Sequence, residues 1–531
     1  MTTPYARPGT YVNEVLLREQ TPVNSTVAVA AIIAPARRGP TIPRRFTSWS
    51  EVTKAFGNFT GIIAEDQLLQ ALYDQFINGG RTVFAARPVG TGAVAASLTF
   101  RLVSPDAGVT PGANALTLTA DNVGTWGNTL FIEVLNGSEA GRFSLVVRLV
   151  PVGQTPGASH IVERWTDLSL NPQDARNALG LLNNVETGSA FVDATLFAGY
   201  VYTAGHTLAA STVVGGSKLI GGDDGAAISD TSILNAVYSC DIITQPFVLN
   251  VPGVTKAVLI TAFADYADAA RTRQDIPEPG RGDVFVVVDT KFGDDADAAI
   301  SLSSTYPKSD HLAVYYPPIV VSDPANAVPG STKLVPVGPS VVGRFIATDS
   351  TRGSFKSPAG IVDGQLAGVL ALDPKATLKN PQLDRLNLAN VNAVKIIPNR
   401  GATIFGARTL RRDFVTRYVS ARRTIISVRA DLLNVLAFVP FENNDQFLWG
   451  AMEDAADKVL RELFVAGGLK GATPDQAYYV KCDGDNNTLA QVQAGQVNIE
   501  VGLSLQRPAE FVVLTIAQFE GGSANVAENA A

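Results

Sequence analysis

LKGATPDQAYYVKCD (469–483), followed by VGLSLQRPAEFVVLTIAQF (501–519), is the most informative part of the chain. An amphipathic helix precedes the first block. The second reads as an apolar β-strand that ends just before a polar tail, GGSANVAENAA. An unpaired apolar strand recruits another chain through its free backbone groups. The pair of blocks therefore suggests a protein that assembles rather than one that turns over a small molecule.

Working outward, the next helix upstream covers about 445–464, with Leu448, Met452, Ala455, Val459 and Leu463 on its buried face. Asp454 and Lys458, and Asp457 and Arg461, pair one turn apart on its outer face. Gly467-Gly468 stops it. Another helix runs over about 417–436. Residues 400–429 are rich in arginine: Arg400, Arg408, Arg411, Arg412, Arg417, Arg422, Arg423 and Arg429 face only Asp413 within the segment. Three readings stay open: a solvated helix face paired to distant carboxylates, a contact with an acidic protein, or a nucleic-acid contact.

Residues 201–400 alternate strand and helix. KLIGG, FVLNV, DVFVVVD and LAVYYPPIVV are apolar β runs, with helical stretches such as 255–271 between them. That pattern predicts a mostly parallel sheet covered on both faces. Residues 91–200 are rich in Thr, Val, Gly and Asn in short alternating runs, which predicts an inserted all-β module. Residues 21–90 read as the first part of the α/β body. STVAVAAIIA (25–34) is a strand, and a helix follows from about Ser50 to Phe56, capped by Ser48 or Ser50 and stopped by Gly57. A second helix, about 65–77, is followed by the strand RTVFAARPV. Residues 1–20 read as an extended arm around Tyr11, Val12 and Val15, able to span roughly 65 Å at ~3.3 Å per residue.

The expected fold class is thus multidomain α/β and α+β. The divisions are an N-terminal arm (1–20), the first part of an α/β core (21–90), an inserted protruding β domain (91–200) and a central α/β domain (201–400). A C-terminal α+β domain (401–508) and a closing strand with a polar tail (509–531) complete the chain.

The bulk properties agree. The 531 residues need more than one core. Charged residues make up 17%, below the usual ~25%, which fits a protein that buries much surface against partners and equally a large monomer. A net charge of -7 argues against a general nucleic-acid binder. Cys240 and Cys482 are too few for a disulfide scaffold. No secretory signal or membrane-length apolar run is read, so synthesis and folding in the cytoplasm are expected.

The search for chemistry returns little. His160, His206 and His311 lie in no metal-binding spacing, and GxSxG is absent. GGSKL (215–219) lacks the spacing and hydroxyl of a phosphate loop. GGDDG (221–225) fits either a cation site or a tight turn. DGDNN (483–487) starts like a calcium loop, but Thr488 and Ala494 stand where glycine and glutamate belong. No catalytic residue, cofactor or metal ligand is assigned.

Taken in order, RPGTYVNEV (7–15), RFTSWSEVTKAFG (45–57), INGGRTVFAARPV (77–89), GTWGNTLFIEV (124–134), LIGGDDG (219–225), PSVVGRFIATDSTRGSFKSPAG (339–360), FGARTL (405–410) and the two closing blocks resemble one family. This is the tail sheath family of contractile phage tails and related injection systems. The resemblance is strong over 1–90 and 201–520 and looser over 91–200. It implies a structural, non-enzymatic subunit that stacks as hexameric rings around a tail tube, bounded by baseplate and tail terminator proteins, with no nucleic acid bound and no membrane inserted. It implies a sheath location in a virion after cytoplasmic assembly, and terminal arms that complete the sheets of neighbouring subunits. Tyr11, Val12 and Val15, and Phe511, Val513, Thr515, Ala517 and Phe519, are the expected arm strands. Arg422, Arg423, Asp454, Lys458 and Arg461 are candidates for the tube-facing side. A sheath from a bacterial injection particle is the alternative setting, and an α/β hydrolase-like enzyme the remote one.

Overall fold

The computed structural model describes residues 29–510, apart from 104–111, 185–186, 275–277, 327 and 377. The expected arm residues Tyr11, Val12 and Val15, and Phe511, Val513, Thr515, Ala517 and Phe519, lie outside the described residues.

An eight-stranded sheet forms the centre. Its inner strands, Val29–Ile33, Thr82–Ala86, Phe247–Asn250, Val284–Val288, Leu312–Tyr316 and Val391–Ile397, are all parallel. One antiparallel strand closes each side, Arg44–Phe46 and Gly401–Ile404. The unbroken apolar runs follow from burial on both faces. Along Val29–Ile33, Val29, Ala31 and Ile33 enter one core, and Ala30 and Ile32 enter the other. The first core is covered by the helices Asp230–Tyr238, Ala257–Ala267 and Asn380–Leu388. The second is covered by Trp49–Phe56, Ile63–Ile77 and Gly338–Arg352. The Ser48 hydroxyl caps the first of these by accepting the Glu51 N–H, and Gly57 ends it with φ 92.

The inserted region builds two four-stranded antiparallel sheets around one shared core. Here the sequence expectation is corrected. Thr207–Leu208 pairs with Ser97–Val103, and Ser217–Lys218 pairs with Leu130–Asn136. KLIGG therefore belongs to the insert and not to the central sheet, and the chain returns to the α/β body after the GGDDG turn rather than at 201. A second correction concerns LAVYYPPIVV. Leu312–Tyr316 stays in the central sheet, but Ile319–Ser322 leaves for a separate three-stranded antiparallel sheet with Thr332–Val335 and Val369–Leu372. The two prolines between the segments offer no N–H to continue a ladder.

The C-terminal region packs two helices, Val419–Val435 and Gln446–Val465, under a two-stranded antiparallel sheet, Tyr478–Lys481 with Glu500–Leu503. No helix among the described residues is long and apolar enough to cross a membrane.

Candidate strand-accepting interface

The two-stranded sheet is the least complete element of the described chain. Each strand has four residues, paired Tyr478 to Leu503 through Lys481 to Glu500. Its inner side rests on Val428, Leu460 and Leu469, with Val480, Val501 and Leu503 packed against them. Tyr478 donates its hydroxyl to Asp457 at 2.8 Å, tying the sheet to the long helix. Tyr479 donates to Glu500 at 2.6 Å on the outer side, and this bond raises its pKa. Among the described residues no further strand pairs along 478–481 or 500–503, and a single antiparallel bridge, Leu469 to Leu505, lies just beyond. Two short strands are marginal alone, which makes this sheet the candidate for further pairing.

The central sheet is closed by contrast. Outside Gly401–Ile404, the Leu366 N–H donates to Ala402 O and the Ile404 N–H donates to Gly364 O, both at 2.8 Å. At the other side, the three-residue edge strand carries exposed Arg44 and Arg45. Short charged edges resist pairing.

From Leu503 the chain runs back toward the body as a strap. The Lys470 N–H donates to Ser504 O and the Ser504 N–H to Ala477 O, both at 2.8 Å, and Gln506 Nε2 donates to Leu469 O at 3.0 Å. Glu510 then meets Arg408: Nε donates to Oε1 at 2.9 Å, Nη2 bonds Oε2, and Tyr418 donates to the same carboxylate at 3.4 Å. Arg408 is buried, and the Glu510 bonds hold its pKa up. Its backbone is locked to Asn392 of the central sheet in both directions, at 2.7 and 2.8 Å. The strap was not legible in the sequence, where Glu510 is a lone acid in an apolar stretch.

The arginine segment proves to be mostly internal. Arg423 is 0% exposed and forms a two-pronged pair with Asp349, Nη1 to Oδ1 at 2.9 Å, while its guanidinium lies 4.7 Å from the Phe345 ring centroid. Burial pushes the Asp349 carboxyl up to about 6 against the pull of Arg423. Arg422 contacts His311 Nε2 and lies 3.5 Å from Asp310. Burial and that guanidinium press His311 down to about 4, while its Nδ1 bonds Val284 O at 2.7 Å. Asp268, Asp310 and His311 thus gather around a cation that the chain supplies itself. Arg423 cannot face a tube, and Arg422 is largely enclosed. Both expectations are corrected, because each charge is neutralised across the fold by a residue far away in sequence. Asp454, Lys458 and Arg461 are exposed on the long helix, where Arg461 pairs with Asp457 at 2.9 Å.

Two sequence motifs find each other at the root of the insert. Asn128 of WGN exchanges hydrogen bonds with Gly222, 2.7 and 2.9 Å. Asp224 accepts from Thr125 N–H at 3.0 Å and from its hydroxyl at 2.5 Å. GGDDG is therefore a turn that grips the neighbouring loop. Arg38 stacks at 4.5 Å on Phe191 and 5.5 Å on Trp126, and Arg87 bonds Gly39 O and Val123 O. Burial lowers both arginines to about 10.

At the carboxyl ends of the parallel strands, where open α/β sheets bind ligands, the chain fills the space itself. Asp289 accepts from the Gly338 N–H at 2.6 Å, Asn250 Nδ2 at 3.2 Å and the Gly253 N–H at 3.3 Å. Burial pushes its carboxyl up to about 6 despite these bonds.

No family model matches the chain. The tail sheath protein of Salmonella phage ViI is 24% identical over 190 residues, and that of Vibrio phage KVP40 is 23% identical over 183. Each match takes in 34% of this chain and only 28% and 26% of the length of those relatives. Solved structures align far more completely. The helical sheath of the anti-feeding prophage in its contracted state covers 97% of this chain and 100% of its own, at 19% identity and a TM-score of 0.57. The contracted sheath complex of the extracellular contractile injection system PVC covers 97% and 99%, at 20% and 0.50. A sheath tail protein from Listeria innocua covers 87% and 93%, at 14% and 0.57. Over nearly its whole length the chain has the fold of the contractile tail sheath proteins, the family its sequence resembles.

Proposed function

We propose that this chain is a structural subunit of a contractile sheath that polymerises by lending and borrowing β-strands. The observation that carries this reading is the two-stranded sheet at 478–503, which no further strand extends among the described residues and which rests on two helices, with a strap leading on to Glu510. Incoming strands would be the apolar stretch Phe511, Val513, Thr515, Ala517 and Phe519 of one neighbour and the arm around Tyr11, Val12 and Val15 of another. Each main-chain hydrogen bond contributes ~0.5–1.5 kcal/mol net, and such bonds survive rotation of the bodies they join. Stacked hexameric rings around a tube, with a baseplate below and a terminator above, are the assembly this reading calls for. Asp454, Lys458 and Arg461 are its tube-facing candidates. Its role is mechanical and not catalytic.

A contractile injection system is favoured over a virion. The sheath complex of an extracellular contractile injection system aligns in structure with 97% of the chain, at 20% identity. Capsid and portal genes beside this one would reverse the preference.

Electron microscopy of the purified protein, alone and with its tube, tests the function. Striated hollow cylinders are expected, and discrete monomers under all conditions would overturn it. Removing residues 1–18 should leave a folded subunit that makes no long sheaths; normal sheaths from that deletion would sink the strand-exchange part.

A further inference from the structure

Charge is distributed unevenly along the C-terminal third. Residues 379–429 hold eleven Lys/Arg and two Asp, whereas 440–503 hold ten Asp/Glu and four Lys/Arg. Part of the first set is used internally, by Glu510, Asp310 and Asp349. Another part reaches the surface in the loop RRDFVTR (411–417). Asp413 organises this loop: it accepts the Val415 N–H at 3.1 Å and the Thr416 N–H at 3.0 Å and pairs with Arg411. Arg417 donates to Arg412 O at 2.9 Å and lies 5.0 Å over the Phe414 ring. The result is a self-supporting loop that holds Phe414 70% and Val415 64% exposed between Arg412 and Arg417. Aromatic and arginine side chains presented together are the composition of an interface centre.

A second patch lies in the connection after the arginine helix. Phe441 is fully exposed and sits at φ 73, a conformation bulky residues rarely adopt. Phe447 is 88% exposed, Phe438 is partly exposed, and Glu442 stands beside them. This patch is apolar and acidic where the first is apolar and basic.

The 17-residue helix Val419–Val435 separates the two patches by ~25 Å at 1.5 Å per residue. Arg423 pins that helix to Asp349, so the patches stay apart within one subunit. Complementary surfaces at opposite ends of a rigid element describe a heterologous contact, which propagates instead of closing on itself in pairs. We propose that the loop 411–417 of one copy docks on the 438–447 connection of a second copy, Phe414 and Val415 against Phe441 and Phe447, with Arg412 facing Glu442. The proposal rests on the sheath reading and adds a body-to-body contact to the strand links.

Mixing the Phe414→Cys and Phe441→Cys variants under assembly conditions tests it directly, since Cys240 and Cys482 are buried. Disulfide-linked dimers should form from the mixture and from neither variant alone. Arg412→Glu and Glu442→Lys should each raise the concentration needed for polymerisation about tenfold, and the double variant should recover most of that loss. All four positions are exposed, and far-UV circular dichroism verifies the fold. Polymers that form normally without cross-links, or reversals without effect, would overturn the contact. Reversals that block coating of the tube but leave self-polymerisation intact would overturn it too, assigning the loop to the tube. Failure of the unmodified protein to polymerise at all would instead remove the sheath reading, and this contact with it.

Discussion

Replacing Arg423 by Met tests the most consequential reassignment in the chain. As part of a solvated helix face, Arg423 would tolerate substitution within ~0.5 kcal/mol, as exposed positions generally do. The structure instead buries it completely against Asp349, itself 1% exposed. Removing the guanidinium leaves a carboxylate inside the protein without its cation, a change that costs ~3–5 kcal/mol. The double variant Asp349→Leu with Arg423→Met removes both desolvated charges, which recovers ~1–4 kcal/mol. It forfeits the contact with Phe345, ~1–2 kcal/mol for a desolvated cation over a ring. The double variant should therefore lie between ~1 kcal/mol below and ~3 kcal/mol above the parent, and the single one well below it. The pH dependence has a definite sign. Burial already raises the folded-state pKa of Asp349 to about 6, and losing Arg423 raises it further. Stability then declines as pH climbs toward that higher value, so the deficit of Arg423→Met should widen between pH 6 and pH 8. Native-state hydrogen exchange across 419–435 and 338–352, at concentrations that keep subunits apart, measures it. Arg412→Met is the exposed control. A single variant indistinguishable from that control, or a double variant as unstable as the single, would refute the reasoning.

Three other perturbations follow from the same geometry. Asp74 is fully enclosed, donated to by Gln70 at 2.8 Å, and burial pushes its carboxyl up to about 7. Its stability contribution is present at low pH and is lost as pH rises from about 4 toward 7. Asp74→Asn should thus match the parent at pH 4 and exceed it at pH 8, by up to ~4 kcal/mol; equal melting curves at pH 8 would count against it. Glu510→Gln breaks the charge-assisted half of the strap, so exchange at 504–510 should accelerate while the two C-terminal helices stay protected. Unchanged protection there would show the strap is held by its backbone bonds alone. Asp224→Ala removes two bonds to Thr125 at the root of the insert, about 1 kcal/mol each. Proteolysis at the 222–226 turn should rise, with the central sheet unaffected.

The central sheet was readable because a parallel sheet covered on both sides needs unbroken apolar strands, and Val284–Val288 can hardly be anything else. The helix after Ser48 was readable because its cap and its stop are local. Three features were not local and were misread or missed. The two apolar residues of KLI suit either sheet, and only the partner strand Leu130–Asn136 decides. AVYYPPIVV is one run by composition but two sheets by topology. The arginine helix faces carboxylates 112 and 74 residues away, at Asp310 and Asp349, which no window along the chain can pair with it. The two-stranded sheet was half legible: YYVK was visible as part of the folded body, while its partner Glu500–Leu503 is set by pairing across about twenty residues.

These long-range pairs bear on how a sheath subunit could move. Contraction asks for two arrangements of the same bodies, so strain must concentrate in the links and not bend the subunit. The described chain meets that demand with charge placed at its joints. Arg423 and Asp349 bind the C-terminal helices to the α/β body. Arg408 and Glu510 bind the strap after Leu503 to the same body. Arg38 and Arg87 bind the insert. The first two joints hold an ion pair whose separation would strand a charge in a low-dielectric setting, and at the third the arginines satisfy backbone carbonyls and stack on aromatic rings. Pull applied beyond Glu510 would pass through Arg408 into Asn392 and the central sheet, bypassing the two short strands at 478–503. In the strand-exchange reading proposed above, the sheet at 478–503 would then hold borrowed strands without also carrying that pull.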